Sequence, residues 1–233
     1  MFSVALIGPD GAGKSTIANM LAESFPVSVK VLYMGINLDS SNVMLPTSRL
    51  IRKVKKLGRR RSNIIDQRSG QPKTRKPSDG VRAVVRLVNR LAEEWYRQFM
   101  MWKYQRDGAI VICDRHFQFD FDYGVAGPEG IPDQRLTERL HRWCLAKLYP
   151  SPDLTILLDA PGEVLFARKG EATVEWLELR RQALLQQGKK LDNFISVDTT
   201  KSLDAVYKEV SNHILNFYKG NRPPQKLMGQ AAA

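Results

Sequence analysis

The sequence is poor in cysteine and in long apolar runs, and it contains no internal repeat. Cys113 and Cys144 are too few to form a disulfide framework, so we expect a reducing cytoplasm as the compartment. The absence of any run of about 18 apolar residues predicts that the chain does not span a membrane. An apolar strand pattern starts almost at Met1, so we expect no signal peptide. The length of 233 residues fits one domain, with or without an insertion.

Acidic residues are nearly absent from residues 49–76, and this shortage accounts for most of the net charge of +12. The segment holds twelve Lys or Arg and one acid, Asp66, so the rest of the chain is close to neutral. No aromatic residue lies between Arg49 and Gly80 to stack on bases, which argues against single-strand binding. We interpret residues 58–80 as a mobile basic insertion. The alternative is an arm that attracts phosphate-bearing ligands or nucleic acid.

A glycine-rich stretch, GPDGAGKST at residues 8–16, follows the apolar run Val4–Ile7 and precedes a helical pattern. This strand, loop and helix context is the one that a phosphate-binding loop requires. Glycines let successive backbone N–H groups point into one hollow, and the start of the helix adds positive potential. Lys14 can reach the phosphates, and the hydroxyl of Ser15 can ligate Mg²⁺. The alternative is an ordinary glycine-rich turn.

A second polar site is predicted where the apolar strand 109–113 ends in Asp114 and Arg115. A carboxylate at a strand end beside a phosphate loop can organise Mg²⁺, and the planar guanidinium can hold phosphate oxygens. A capped strand end with a surface ion pair is the alternative. Farther on, Asp120 and Asp122 alternate with aromatic residues. If this stretch is extended, both carboxylates face one side, where they bind substrate or metal or only face solvent.

The longest predicted helix covers residues 84–106. Its apolar residues recur at helical spacing, and we expect them to pack in the core. They are Val84, Val88, Leu91, Trp95, Phe99 and Trp102. The flanking charges, including Glu93 and Arg97, either form surface pairs of the i,i+4 type or face a pocket.

A basic turn interrupts the helical pattern between residues 163–169 and 175–185. A break of this kind at Gly170 is typical of a mobile lid, which we place at residues 168–181. Its arginines could stabilise charge on a transferring phosphoryl group, or they are solvated on a helical hairpin. A last strand and helix complete a single domain over residues 1–220, and residues 221–233 are expected to form a disordered tail.

Four ordered motifs resemble the thymidylate kinase branch of the P-loop nucleoside monophosphate kinases. They are GPDGAGKST at 8–16, VICDRH at 111–116, LLDAPGEV at 157–164 and VDTTKSL at 197–203. Together the matched regions cover most of the chain except residues 35–85. The resemblance implies a three-layer α/β sandwich with a five-stranded parallel sheet and a helical lid.

The resemblance also implies ATP and Mg²⁺ as cofactors and assigns roles to individual residues. Lys14, Asp114 and Arg115 would be catalytic, together with a lid arginine drawn from Arg168, Arg180 and Arg181. Ser15 and Asp114 would organise the metal. The cofactor would contact Gly11, Ala12, Gly13, Lys14, Ser15, Thr16 and Asp198.

The acceptor side departs from the family, which usually has Arg-Glu-Pro-Gly-Gly after the second strand where this chain has Met-Gly-Ile-Asn at 34–37. We expect the acceptor to bind between residues 35–50, the long helix and residues 116–124. The candidate contacts are Asp10, Asn37, Arg49, Arg97 and Tyr123. The predicted function is phosphorylation of dTMP, with another phosphate or hydroxyl acceptor as the alternative. A nucleotide-binding protein with a basic arm is the rival class, and a homodimer is left open.

Overall fold

The computed structural model describes residues 1–35, 42–46, 48, 78–121, 136–170 and 172–220. Five strands and seven helices in these ranges are labelled in chain order. The strands are β1 (Ser3–Ile7), β2 (Val29–Tyr33), β3 (Ile110–Asp114), β4 (Leu154–Asp159) and β5 (Phe194–Asp198). The helices are α1 (Lys14–Ser24), α2 (Ser78–Arg106), α3 (Phe117–Phe121), α4 (Leu136–Leu148), α5 (Gly162–Lys169), α6 (Val174–Gly188) and α7 (Leu203–Gly220).

The strands form one parallel sheet in the order β2-β3-β1-β4-β5, which confirms the predicted fold class. Because β1 is buried on both faces, its side chains alternate between two cores. Val4 and Leu6 pack with α1 and α7, whereas Ala5 and Ile7 pack with α2, α4 and α6. The carboxyl ends of β1 and β3 lie side by side, and this edge is where open parallel sheets bind ligands.

The orientation of α2 is opposite to the one predicted. Its apolar stripe faces outward, with Val88 60%, Phe99 57% and Trp102 44% exposed. Its buried face is polar and includes Glu93, Glu94 and Arg97, so the interpretation of Glu93 and Arg97 as a surface pair is wrong.

Specific partners from other elements stabilise these buried polar groups of α2. The carboxylate of Glu94 contacts His141 Nε2 at 2.8 Å, and Glu93 Oε2 accepts a hydrogen bond from the backbone N–H of Leu45 at 3.1 Å. Such pairing offsets the cost of taking charges out of water. In α4, likewise, Leu140 and Trp143 are exposed while His141 is buried.

The thiol of Cys113 lies inside β3 and is fully buried. Burial raises its pKa to about 12, so the thiol stays protonated and unreactive at neutral pH. None of the helices in the described ranges combines the length and apolar composition needed to cross a bilayer.

Candidate active site

The glycine-rich loop between β1 and α1 encloses the side chain of its own lysine. Gly11 and Gly13 adopt positive φ angles of 87° and 89°, which favour glycine, and a Cβ on Gly11 would lie 2.7 Å from the Leu165 carbonyl oxygen. Lys14 is buried, and its Nζ donates hydrogen bonds to the Gly8 and Pro9 carbonyls at 2.8 and 2.7 Å. The ammonium therefore sits within the loop, where phosphate oxygens would need a positive charge.

The side chains of Ser15 and Asp114 meet at the mouth of this loop. Ser15 Oγ donates a hydrogen bond of 2.6 Å to Asp114 Oδ2. They meet because β1 and β3 pair in parallel, with Leu6 opposite Asp114. A hydroxyl and a carboxylate are hard oxygen ligands of the kind that Mg²⁺ takes alongside water and substrate phosphates. Within the described ranges no group of three or more His, Cys, Asp or Glu residues is arranged to hold a metal.

Arg115 and Asp10 form an ion pair across the loop. Burial alone would raise the pKa of Asp10, but the charges of Arg115 and Lys14 outweigh it and lower that pKa below its ordinary value. Arg115 has a φ of 66°, an uncommon value for a residue with a side chain, and such backbone strain is concentrated at functional sites. A lid residue, Lys169, brings its Nζ to 4.0 Å from Asp10 Oδ1.

Residues 117–121 form a short helix, so the extended stretch considered for Asp120 is wrong, and Asp122 lies outside the described residues. α3 begins at Phe117, and the ring of His116 packs on Phe117 with centroids 4.6 Å apart. Burial, and secondarily the charge of Arg97, lower the pKa of His116 to about 3. The imidazole is therefore neutral at physiological pH.

The predicted lid, residues 168–181, falls on the end of α5 and the first half of α6, and Gly170 after α5 has a φ of 65°. Its three arginines have different surroundings. Arg168 Nη2 donates to the Thr199 carbonyl at 2.6 Å. Arg181 binds the carboxylate of Asp159 through two hydrogen bonds, of 2.6 and 2.9 Å.

The charge of Arg180 contributes to the lowered pKa of Asp10, after the larger effects of Arg115 and Lys14. The guanidinium carbon of Arg180 also lies 5.3 Å from the centre of the Trp176 ring. Lys169 thus approaches the loop, whereas Arg181 is engaged with Asp159 at the end of β4.

A cavity of about 320 Å³ opens beside the phosphate loop. Its lining includes Gly11, Thr16, Arg168, Thr199 and Lys201. The first three of these belong to the predicted site or lid, and Thr199 lies in the 198–200 loop that the family resemblance places near the adenine of ATP. Sequence reasoning missed Lys201, for which the VDTTKSL motif directly after β5 was the available signal.

Asp198, a predicted cofactor contact, is absent from the described lining of this cavity. Its Oδ1 accepts hydrogen bonds from the backbone N–H and the hydroxyl of Thr200, at 2.9 and 2.7 Å. Asp198 therefore shapes the turn that carries Thr199.

The structure brings together Asp10, Lys14, Ser15, Asp114 and Arg115 at one edge of the sheet. It places Arg97 in the interior rather than on a helix surface. The remaining predicted acceptor contacts, Asn37, Arg49 and Tyr123, lie outside the described residues. The same holds for residues 58–77 of the basic insertion and for the tail 221–233.

Comparison with curated proteins yields thymidylate kinases. The thymidylate kinase of Thermomicrobium roseum is 42% identical over 77 residues, covering 33% of this chain and 35% of the relative. That of Neisseria gonorrhoeae is 33% identical over 114 residues, covering 45% and 53%. The probable thymidylate kinase of Sulfolobus acidocaldarius is 23% identical over 226 residues, covering 93% and 98%. The chain thus spans about a third to a half of the length of the first two relatives. No family model matches.

Among solved structures, deoxyadenosine kinase from M. mycoides with bound dATP matches with a TM-score of 0.53 and 14% identity. The match covers 92% of this chain and all of that one. At this identity the likeness concerns the fold alone. The sequence relatives support the resemblance to the thymidylate kinase-like P-loop nucleoside monophosphate kinases.

Proposed function

We propose that this protein transfers the γ-phosphoryl group of ATP to a nucleoside monophosphate, with dTMP as the leading acceptor. The observation that carries the proposal is the hydrogen bond between Ser15 and Asp114 beside the enclosed ammonium of Lys14. A hydroxyl, a carboxylate and an ammonium at one loop match the needs of a metal-bound nucleoside triphosphate. The thymidylate kinases found by sequence comparison support this choice of acceptor.

In the proposed reaction, an oxygen of the acceptor phosphate forms a bond to the γ-phosphorus while the bond to the β-γ bridging oxygen breaks. The bridging oxygen leaves as part of ADP. Ser15 and Asp114 would hold Mg²⁺, which would supply positive charge against the triphosphate. Lys14 exchanges its loop carbonyls for phosphate oxygens, and Arg115 orients the phosphates from the Asp10 side. No covalent intermediate is needed, because positioning and charge stabilisation carry the step.

The 320 Å³ cavity is the proposed place for the nucleoside part of ATP. It adjoins the loop, and Arg168 closes it from the lid by bonding the Thr199 carbonyl. Closure of α5 and α6 over the phosphates would exclude water and so limit hydrolysis of ATP.

The test is a panel of acceptors with ATP and Mg²⁺, in which ADP and the nucleoside diphosphate product are both quantified. dTMP, dUMP, dCMP, dAMP and dGMP are compared at equal concentration, with acceptor-free and EDTA-treated samples as controls. We expect dTMP to raise ADP formation above the hydrolysis background in parallel with dTDP. If every acceptor leaves ADP at background, the proposed function is wrong.

We further propose that two copies of the chain pair through the outer faces of α2 and α4. The exposed apolar side chains are Val84, Val85, Val88, Trp95, Phe99 and Trp102 on α2, and Leu136, Leu140 and Trp143 on α4. At about 100 Å² each they offer on the order of 900 Å², which matches the roughly 800 Å² per partner of a standard interface. A second copy presents the same apolar surface, as isologous pairing requires.

We expect Trp102→Asp to weaken self-association at least about 30-fold, because loss of a hot-spot tryptophan costs an interface about 2 kcal/mol or more. Light scattering after gel filtration over a concentration series measures the change. Leu203→Asp, a substitution at an exposed leucine on α7, is the control and should leave the mass unchanged. If the wild-type protein has the mass of a single chain at every concentration, the proposed homodimer is wrong.

A further inference from the structure

Arg97 is a charged side chain whose contacts are mainly with backbone groups. Only 1% of it is exposed. Its Nη1 donates hydrogen bonds to the Tyr33 and Gly35 carbonyls at 3.3 and 2.8 Å, and its Nε donates to the Glu93 carbonyl at 3.4 Å. Burial lowers its pKa from the ordinary value, yet a guanidinium remains charged in proteins. Burying a charge costs free energy, so the contact between the Arg97 guanidinium and the carbonyls at the end of β2 indicates a functional role.

Gly35 connects Arg97 to the phosphate-binding edge. A Cβ built on Gly35 would lie 2.9 Å from Arg115 Cδ and 2.5 Å from Tyr33 Oη. The side chain of Arg115 therefore runs directly against the Gly35 backbone. Arg97 holds the carbonyl of that same residue from the other side.

Arg115 needs support of this kind, because its own backbone is strained at a φ of 66°. Its guanidinium pairs with Asp10 of the phosphate loop. The contacts thus run from Arg97 through Gly35 to Arg115 and on to Asp10. Glu93, one turn before Arg97, holds the chain beyond Gly35 by accepting the N–H of Leu45.

We infer that Arg97 is a positioning residue, which fixes the Gly35 backbone and thereby aims Arg115 at the phosphates. The expected fall in kcat rests on the proposed function, whereas the expected loss of coupling between Asp10 and Arg115 does not. The Nη1 and Nε atoms of Arg97 are engaged with backbone carbonyls, as holding the backbone in place requires. This role differs from the acceptor contact that the sequence suggests for Arg97.

The kinetic test compares Arg97→Met, Arg97→Lys and Gly35→Ala, with Arg106→Met on the same helix as a control. Because a misplacement of about 1 Å can cost 10²-fold, we expect Arg97→Met to lower kcat about 10- to 100-fold. The KM for ATP should stay within about twofold, and Arg97→Lys should restore part of kcat. Gly35→Ala should lower kcat similarly, because its Cβ displaces Arg115. The double variant should lose little more than either single one, since both act on one contact.

A second measurement does not depend on transfer activity. The coupling between Asp10 and Arg115 is obtained from urea unfolding of Asp10→Asn, Arg115→Gln and the double variant. We expect this coupling in the wild-type background and its loss in the Arg97→Met background. If no acceptor is phosphorylated yet the coupling is lost, the proposed function fails and the positioning role stands.

Two outcomes would overturn the positioning role. In the first, the Asp10–Arg115 coupling persists when Arg97 is replaced. In the second, Arg97→Met raises the KM of the acceptor with kcat unchanged, which would make Arg97 a direct acceptor contact instead. Circular dichroism of each variant checks that the fold is retained, and Gly35→Ala keeps the test decisive if Arg97→Met fails to fold.

Discussion

Replacement of Lys14 by alanine is expected to lower kcat about 10²- to 10³-fold, the usual cost of removing one preorganised charge donor from a transition state. Its ammonium lies inside the loop on the Gly8 and Pro9 carbonyls. Bound phosphate oxygens would draw it from these carbonyls with little movement. No other described lysine occupies the hollow of the loop, and Lys169 reaches only its Asp10 side, at 4.0 Å.

The fold should survive this change, because the apolar core around β1 and α1 does not include Lys14. The measurement is a coupled assay of ADP release with the preferred acceptor, together with a thermal melt. Lys208→Ala, at an exposed lysine on α7, is the matched control and should keep wild-type turnover. Turnover of Lys14→Ala within about threefold of the wild type would contradict the phosphate-loop assignment, since it is far below the expected effect.

The second large effect is expected in the lid, where Arg180→Ala should lower kcat about 10³-fold, the lower range for an arginine that stabilises phosphoryl transfer. Arg180 is the candidate because Arg181 is engaged with Asp159 through two hydrogen bonds, and because the charge of Arg180, with those of Arg115 and Lys14, lowers the pKa of Asp10. Arg181→Ala should instead reduce stability by about 1 kcal/mol, as expected for a partly exposed ion pair.

Single-turnover rates and urea unfolding on the two variants separate these effects. Arg180→Ala should fold as stably as the wild type and transfer slowly. Arg181→Ala should unfold earlier and retain most of the transfer rate. The reverse ranking of the two transfer rates would identify Arg181 as the catalytic arginine of the lid.

The phosphate loop could be predicted from the sequence because its physical requirements are local. Glycines at 11 and 13, the lysine and the hydroxyl lie within a few residues, and the strand before them is a continuous apolar run. The position of Asp114 beside Ser15 follows from the rule that parallel strands bring their carboxyl ends to one edge. The apolar strands were therefore accessible from the sequence pattern, whereas the five-stranded parallel sheet was inferred from the family resemblance.

Which face of α2 is buried could not be predicted from the sequence in this way. Helical periodicity reveals that an apolar stripe exists, but it does not say which side of the helix the sheet covers. Glu94 and Arg97 became interior residues because His141 and the Gly35 carbonyl, far away in the sequence, supply their partners. Such partners are known only when the chain has folded.

The different environments of Arg180 and Arg181 have the same origin. The two residues are adjacent in a basic turn-and-helix segment, and spacing does not distinguish them. Successive residues on a helix point about 100° apart, so one guanidinium reaches Asp159 while the other acts on Asp10.

The sequence by itself determined the phosphate loop and the apolar strands, including the one that ends in Asp114, because each depends on residues close together in the chain. Only the tertiary structure decided the order of the strands, which face of α2 is buried, which lid arginine Asp159 binds, and that Gly35 lies between Arg97 and Arg115. These outcomes depend on contacts between residues tens of positions apart. Packing against the sheet, rather than local propensity, selects them.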